Sequence, residues 1–163
     1  MHSSDRYSLV LTPNFVRSLT KTKKNHYKKT HKKFVSEFVD KLDQLFEQLV
    51  SDPYSVPFSH PEPWPHGTVD GRFGFYKLDF VMPGLLHASR EGRVMWLICE
   101  STSIVSIIWI YTHDEFKKRP EDSDLKRALK DAIGCAIAAI VAAHEPNKSS
   151  APDLGPTAKD SKA

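Results

Sequence analysis

The chain has 163 residues, 40% of them hydrophobic and 26% charged, with 23 Lys and Arg against 20 Asp and Glu. A chain of this length buries a core without a disulfide or metal staple, and this composition excludes a disulfide-rich secreted scaffold, a disordered chain and a repeat array. The net charge of +3 is too small to indicate a partner, so the placement of charge matters more than its sum.

Residues 1–6 lack the apolar core of an export signal. Residues 7–11 begin by alternating apolar and polar and read as a short strand. Thr12 and Pro13 then suit the cap and first turn of a helix. That segment becomes strongly basic: residues 17–33 carry eight Lys or Arg and no acid, and are expected to form a basic helical stretch. From Phe34 onward, Phe38, Leu42, Leu45 and Leu49 recur at helical spacing opposite a charged face, and the pattern stops before Asp52-Pro53.

Residues 53–67 hold five prolines and are expected to form a long loop anchored by Trp64. Three strands are predicted next, at 72–80, 93–99 and 104–111. The last two are apolar on both faces, as in central strands covered on both sides, and residues 100–103 are short enough for a hairpin. A final helix is expected from Asp122 or Ser123, with Leu125, Leu129, Ile133, Ile137 and Ile140 in phase. Its apolar run, 132–143, would rise about 18 Å against a hydrocarbon core of roughly 30 Å, so no membrane span is expected. Residues 145–163 are too polar and proline-rich to order themselves and are expected to be a disordered tail after a domain of residues 1–144. Cys99 and Cys135 lie in apolar runs and are expected as buried thiols of a cytoplasmic protein.

Two features carry possible chemistry. The eight cations of residues 17–33, among them Lys28, Lys29, Lys32 and Lys33, could bind a polyanion by releasing counterions, or could be a solvated face. Lys117, Lys118 and Arg119 form a second basic run. Secondly, a meander of the three strands brings Arg90, Arg93 and His113 together at one edge of the sheet, with Lys77 mid-strand. Guanidinium forks bind phosphate oxygens, and an imidazole exchanges protons near neutral pH. The plain alternative is arginine at strand ends and a polar turn histidine. His60 and His66 lack further ligands at zinc-like spacing, and no phosphate-binding glycine loop or serine nucleophile motif is present.

Over residues 7–119 the order of elements resembles that of the RelE/ParE superfamily of bacterial type II toxins. The residues that carry the resemblance are Gly74-Phe75-Tyr76-Lys77-Leu78, Arg90-Glu91-Gly92-Arg93-Val94-Met95-Trp96 and Ile107-Ile108-Trp109-Ile110-Tyr111-Thr112-His113. Arg90 stands one residue nearer Arg93 than the family's paired arginines, and no tyrosine follows His113. The segment after Trp109-Ile110, with Asp114-Glu115, Lys118-Arg119 and a further helix, is more like the YhaV branch. The resemblance implies an α+β, RelE-like fold: an antiparallel meander packed by two N-terminal helices, with an extra C-terminal helix. It also implies a toxin that cuts mRNA by attack of a ribose 2′-OH on the adjacent phosphate, without metal or cofactor, neutralised by a cognate antitoxin. In that reading His113 moves the proton, Arg93 and Arg90 stabilise the phosphate, Lys77 assists, and the basic runs contact RNA or the ribosome. A gyrase-inhibiting ParE-like toxin and a non-catalytic nucleic-acid-binding module remain open as alternatives, and the C-terminal helix could serve self-association or antitoxin docking.

Overall fold

The computed structural model describes residues 6–28 and 32–144; Lys29 and the expected disordered tail lie outside them. The elements in chain order are β1 (Ser8–Leu11), α1 (Pro13–His26), α2 (Lys32–Ser51), β2 (Ser59–Pro61), β3 (Gly74–Val81), β4 (Glu91–Cys99), β5 (Ile104–Thr112) and α3 (Asp122–His144). They form an α+β fold around one five-stranded sheet of order β1-β5-β4-β3-β2. The strands β3, β4 and β5 form the expected antiparallel meander, and β1 adds to β5 in parallel.

The sheet is covered on both faces, as its two-sided apolar strands predict. On one face Phe15 of α1 and Phe38, Leu42, Leu45 and Leu49 of α2 pack on Val94, Trp96, Ile98, Ile107 and Ile110. On the other, Leu125, Ala128, Leu129, Ala132 and Ala136 of α3 pack on Phe75, Met95, Leu97, Ile108 and Tyr111. The pairing of β4 with β5 slips between Met95 and Trp96, where Ile108 is an extra residue on β5: Trp96 faces Ile107, and Met95 faces Trp109.

Helix α1 begins as expected, with the Thr12 hydroxyl accepting from the Phe15 amide at 3.2 Å. It also runs beside the part of β5 that β1 leaves uncovered. Thr12 Oγ1 and Asn14 Nδ2 donate to the carbonyls of Ile107 and Ile108, at 2.8 and 2.9 Å, and Ser18 Oγ accepts from the Ile110 amide at 3.1 Å. Polar side chains of a helix thus close a sheet edge.

Four expectations are corrected. The basic stretch 17–33 is not one helix: α1 ends at His26, and α2 opens at Lys32. The Tyr27 ring is buried and its hydroxyl donates to the Pro83 carbonyl at 3.0 Å, which draws the chain out of the helix at that point. The proline-rich segment holds a strand after all, since β2 pairs with Tyr76, Lys77 and Leu78 at the outer edge of the sheet, where Pro61 at the strand end is tolerated. Helix α3 starts at Asp122, so Asp122 and Asp124 lie in its first turn, where their charge suits the helix N-terminus, rather than capping it. Cys135 is only half-buried, while Cys99 is buried, and both thiols are free. No helix among the described residues is long and apolar enough to cross a membrane.

Candidate functional site

Residues two apart in a strand share a face. The face that α3 covers at Phe75, Leu97 and Met95 therefore continues, past the helix, into polar residues. Cross-strand pairing sets these in rows: Lys77 beside Met95, then Asp79 beside Arg93 beside Tyr111, then Val81 beside Glu91. The backbone amide of His113 donates to the Glu91 carbonyl at 2.9 Å, which extends the last row by His113. Arg93 and His113 thus stand on one face at one end of the sheet.

Each charged side chain in these rows has a partner. Arg93 Nε lies 3.0 Å from Asp79 Oδ1, and its Nη1 donates to its neighbour's carbonyl at Gly92. Arg93 is 18% exposed and Asp79 49%, so this pair meets water and is worth about 0–1 kcal/mol. His113 Nδ1 faces Glu91 Oε2 at 3.9 Å, within reach of an ion pair when the ring carries its second proton but too long for a hydrogen bond. Beneath them the Tyr111 ring is fully buried, and its hydroxyl has no hydrogen-bond partner among the described residues. Burial, with a further push from Glu62, raises its pKa well beyond the ordinary range.

Arg90 reaches the site on a loop. Residues 82–90 leave β3, close through the Met82 amide on the Arg90 carbonyl at 2.7 Å, and end in a 3-10 turn, His87–Arg90. That loop is held against the helices by buried Met82 and Leu85, and by the Tyr27 hydroxyl on Pro83. Gly84 is a forced choice here. Its φ is +73°, and a Cβ there would fall 2.3 Å from the Phe34 ring of α2. The 3-10 turn packs against both β4 and β5. A groove of about 490 Å³ results, lined by Asp79, Phe80, Val81, His87, Arg90, Glu91 and Arg93. Gly92, between Glu91 and Arg93, leaves room for the Phe80 ring, which a Cβ there would meet at 2.6 Å.

The remaining predicted residues are placed differently. Lys77 shares the face of Arg93 but turns to Glu62, whose carboxylate is 6% exposed: Lys77 Nζ is 3.2 Å from Oε2. Arg119 Nη1 takes the other oxygen at 3.3 Å and donates to the Pro63 carbonyl at 2.6 Å, while its Nη2 reaches Asp122 at 3.1 Å. Glu62 thus occupies two of the expected phosphate-binding cations. Lys117 and Lys118 are exposed, and Lys118 lines a second groove with Lys77 and Arg119. Lys28 and Lys32 are exposed, and Lys33 lies 5.0 Å over the Phe34 ring. The first turn of α2 therefore stands beside Gly84, at the root of the site loop.

Sequence reasoning passed over four residues. His87 and Glu91 line or border the groove, and His87 has a left-handed φ of 57°. On the helical side, His26 Nε2 lies 3.3 Å from Thr112 Oγ1 and 3.8 Å from Glu115, which also meets Lys21. For His87 a signal was present, a histidine three residues before Arg90; for the others only the tertiary pairing shows the partner. Among the described residues, no group of three His, Cys, Asp or Glu could hold a metal ion.

No family model and no curated protein matches this sequence. Among solved structures, a double arginine-to-alanine mutant of the Escherichia coli toxin RelE in the free state is similar over 79% of this chain and 96% of that chain, with 14% sequence identity and a TM-score of 0.37.

Proposed function

We propose that this chain is the toxin of a type II toxin–antitoxin pair, and that it blocks translation as a metal-independent endoribonuclease acting on mRNA. The observation that carries this reading is the convergence of Arg90 and Arg93 on one groove, with the His113 imidazole next to them on the same sheet face. A phosphodiester laid in the groove would meet both guanidinium groups, whose forks suit the non-bridging oxygens and the charge that grows on them. Arg93 would exchange its weak, half-exposed link to Asp79 for a phosphate. His113 would take the proton of the ribose 2′-OH, and Glu91 would offset the charge the ring gains. The 2′-oxygen would then displace the 5′-oxygen of the next nucleotide, leaving a 2′,3′-cyclic phosphate. DNA, lacking the nucleophile, would survive.

Lys28, Lys32, Lys33, Lys117 and Lys118 would hold the flanking RNA or the ribosome. A cognate antitoxin would silence the groove. The last turns of α3, where Ile137 and Val141 are exposed, offer that antitoxin or a second copy a docking face.

The test is induced expression of the wild type and Arg93→Ala in a bacterial host, following growth and mapping new RNA 5′ ends. Expected are growth arrest and new ends from the wild type, with cleavage falling by roughly 10²–10³ in the variant, as when one charge-stabilising donor is removed. Arrest without new ends would replace this reading by inhibition of gyrase. Soluble, folded protein that causes no arrest would leave a binding module.

A further inference from the structure

We propose that His87 is a further catalytic residue, in the groove that holds Arg90 and Arg93: the general acid that protonates the leaving 5′-oxygen while His113 acts as the base. The inference rests on the ribonuclease reading above and deepens it.

Transesterification of RNA moves two protons. One leaves the attacking 2′-OH, and one must reach the 5′-oxygen as its bond to phosphorus breaks. A single imidazole on one side of the phosphate serves only one of them well, because attack and departure occur on opposite sides of the phosphorus. The groove supplies a second imidazole. His87 lines it together with Arg90 and Arg93, whereas His113 stands across Glu91, outside the lining. The His87 ring thus shares one groove with both guanidinium groups. The groups facing His87 are Asp79 from β3, Arg90 of its own turn, and Glu91 and Arg93 from β4.

The backbone supports the assignment. His87 is one of three non-glycine residues among those described with positive φ, at 57°. A side chain held in that conformation costs free energy, and such positions collect at functional sites. Its loop is not a slack one: Met82 and Leu85 are buried, Gly84 locks against Phe34, and Tyr27 holds Pro83. The exposed ring is therefore presented on a fixed base, as a proton donor requires.

The protons and bonds balance. The 2′-OH proton passes to His113, the 2′-oxygen bonds to phosphorus, the bond from phosphorus to the 5′-oxygen breaks, and the His87 proton goes to that oxygen. The products are a 2′,3′-cyclic phosphate and a 5′-hydroxyl.

The test uses the full chain, with ribosomes if cleavage requires them, and a synthetic RNA spanning the bond mapped in vivo. One version carries the natural 5′-oxygen; the other has sulfur at that bridging position, a leaving group that departs without a proton. The variant is His87→Asn, because asparagine tolerates the left-handed backbone, and its thermal melting is compared with the wild type. Expected is a loss of 10²-fold or so on the oxygen substrate, near-wild-type cleavage of the sulfur substrate, and loss of the high-pH limb of the pH–rate profile. His113→Gln should fail on both substrates. If His87→Asn cleaves the oxygen substrate at the wild-type rate, or loses both substrates alike, the assignment is overturned while the nuclease reading stands. A wild type that cuts neither substrate overturns both.

Discussion

At the scale of single residues, burial decides which ion pair is structural and which is available. The contrast between Asp79 and Glu62 shows this. Asp79 is half-exposed, and the Arg93 that it holds can change partners at little cost. Glu62 is buried between Lys77 and Arg119 and further braced by its amide on the Phe75 carbonyl at 2.8 Å. Glu62→Gln removes the charge that offsets two partly buried cations and is expected to cost roughly 2–4 kcal/mol, read as a lower urea midpoint. Asp70 gives a pH signature. Hydrogen bonds from the Arg72 side chain and backbone hold its carboxyl at about 2, against an ordinary 3.8. Because the folded pKa is the lower one, the pair stabilises the fold fully above pH 4 or so, and that contribution fades as pH falls towards 2. In Asp70→Asn, melting temperature should fall less steeply between those values than in the wild type. None of these pairings except Asp70 with Arg72 is legible in the sequence: Glu62 lies in a proline-rich stretch, and Arg119 is far along the chain.

Elements were readable where periodicity is strong and unreadable where a tertiary contact ends them. Helix α2 and the three meander strands follow from their apolar patterns, and α1 from its Thr12-Pro13 opening. The end of α1 does not, because the cationic residues that follow His26 favour helix as readily as those before it. What breaks it is Tyr27, buried and bonded to a loop more than fifty residues on. Strand β2 escapes for the opposite reason: its three residues pair at a sheet edge despite their proline. The break sets Lys32 and Lys33 at the start of α2, beside the loop of residues 82–90. Lys32→Glu with Lys33→Glu is expected to weaken binding of single-stranded RNA and to reduce the slope of log affinity against log salt, by about 0.7 for each phosphate no longer neutralised. Fluorescence anisotropy over a salt series measures both quantities. An unchanged slope would mark these lysines as a solvated face.

At the scale of the whole molecule, the architecture was the most legible part. Two central strands without a polar face require cover on both sides, and the helices before and after the meander supply it. The candidate site was half legible. The meander brings Arg90, Arg93 and His113 to one end of the sheet, but local spacing gave no way to see that Lys77 and Arg119 are taken by Glu62. It also could not fix the side of the sheet on which His113 lies. That depends on Ile108, the extra residue of β5. Counting in twos from Ile107, which packs under the α1 and α2 layer, residues 109, 111 and 113 would all belong to that layer. The added residue shifts the count by one and turns them towards Arg93 instead. Here the spatial phase of an imidazole is set five residues upstream, by chain length rather than by chemistry. Excision of Ile108 with all the charged groups intact would move His113 beneath the sheet. The site would then be intact in composition and dismantled in space, so relatives of this chain are better compared by strand phase than by the histidine alone.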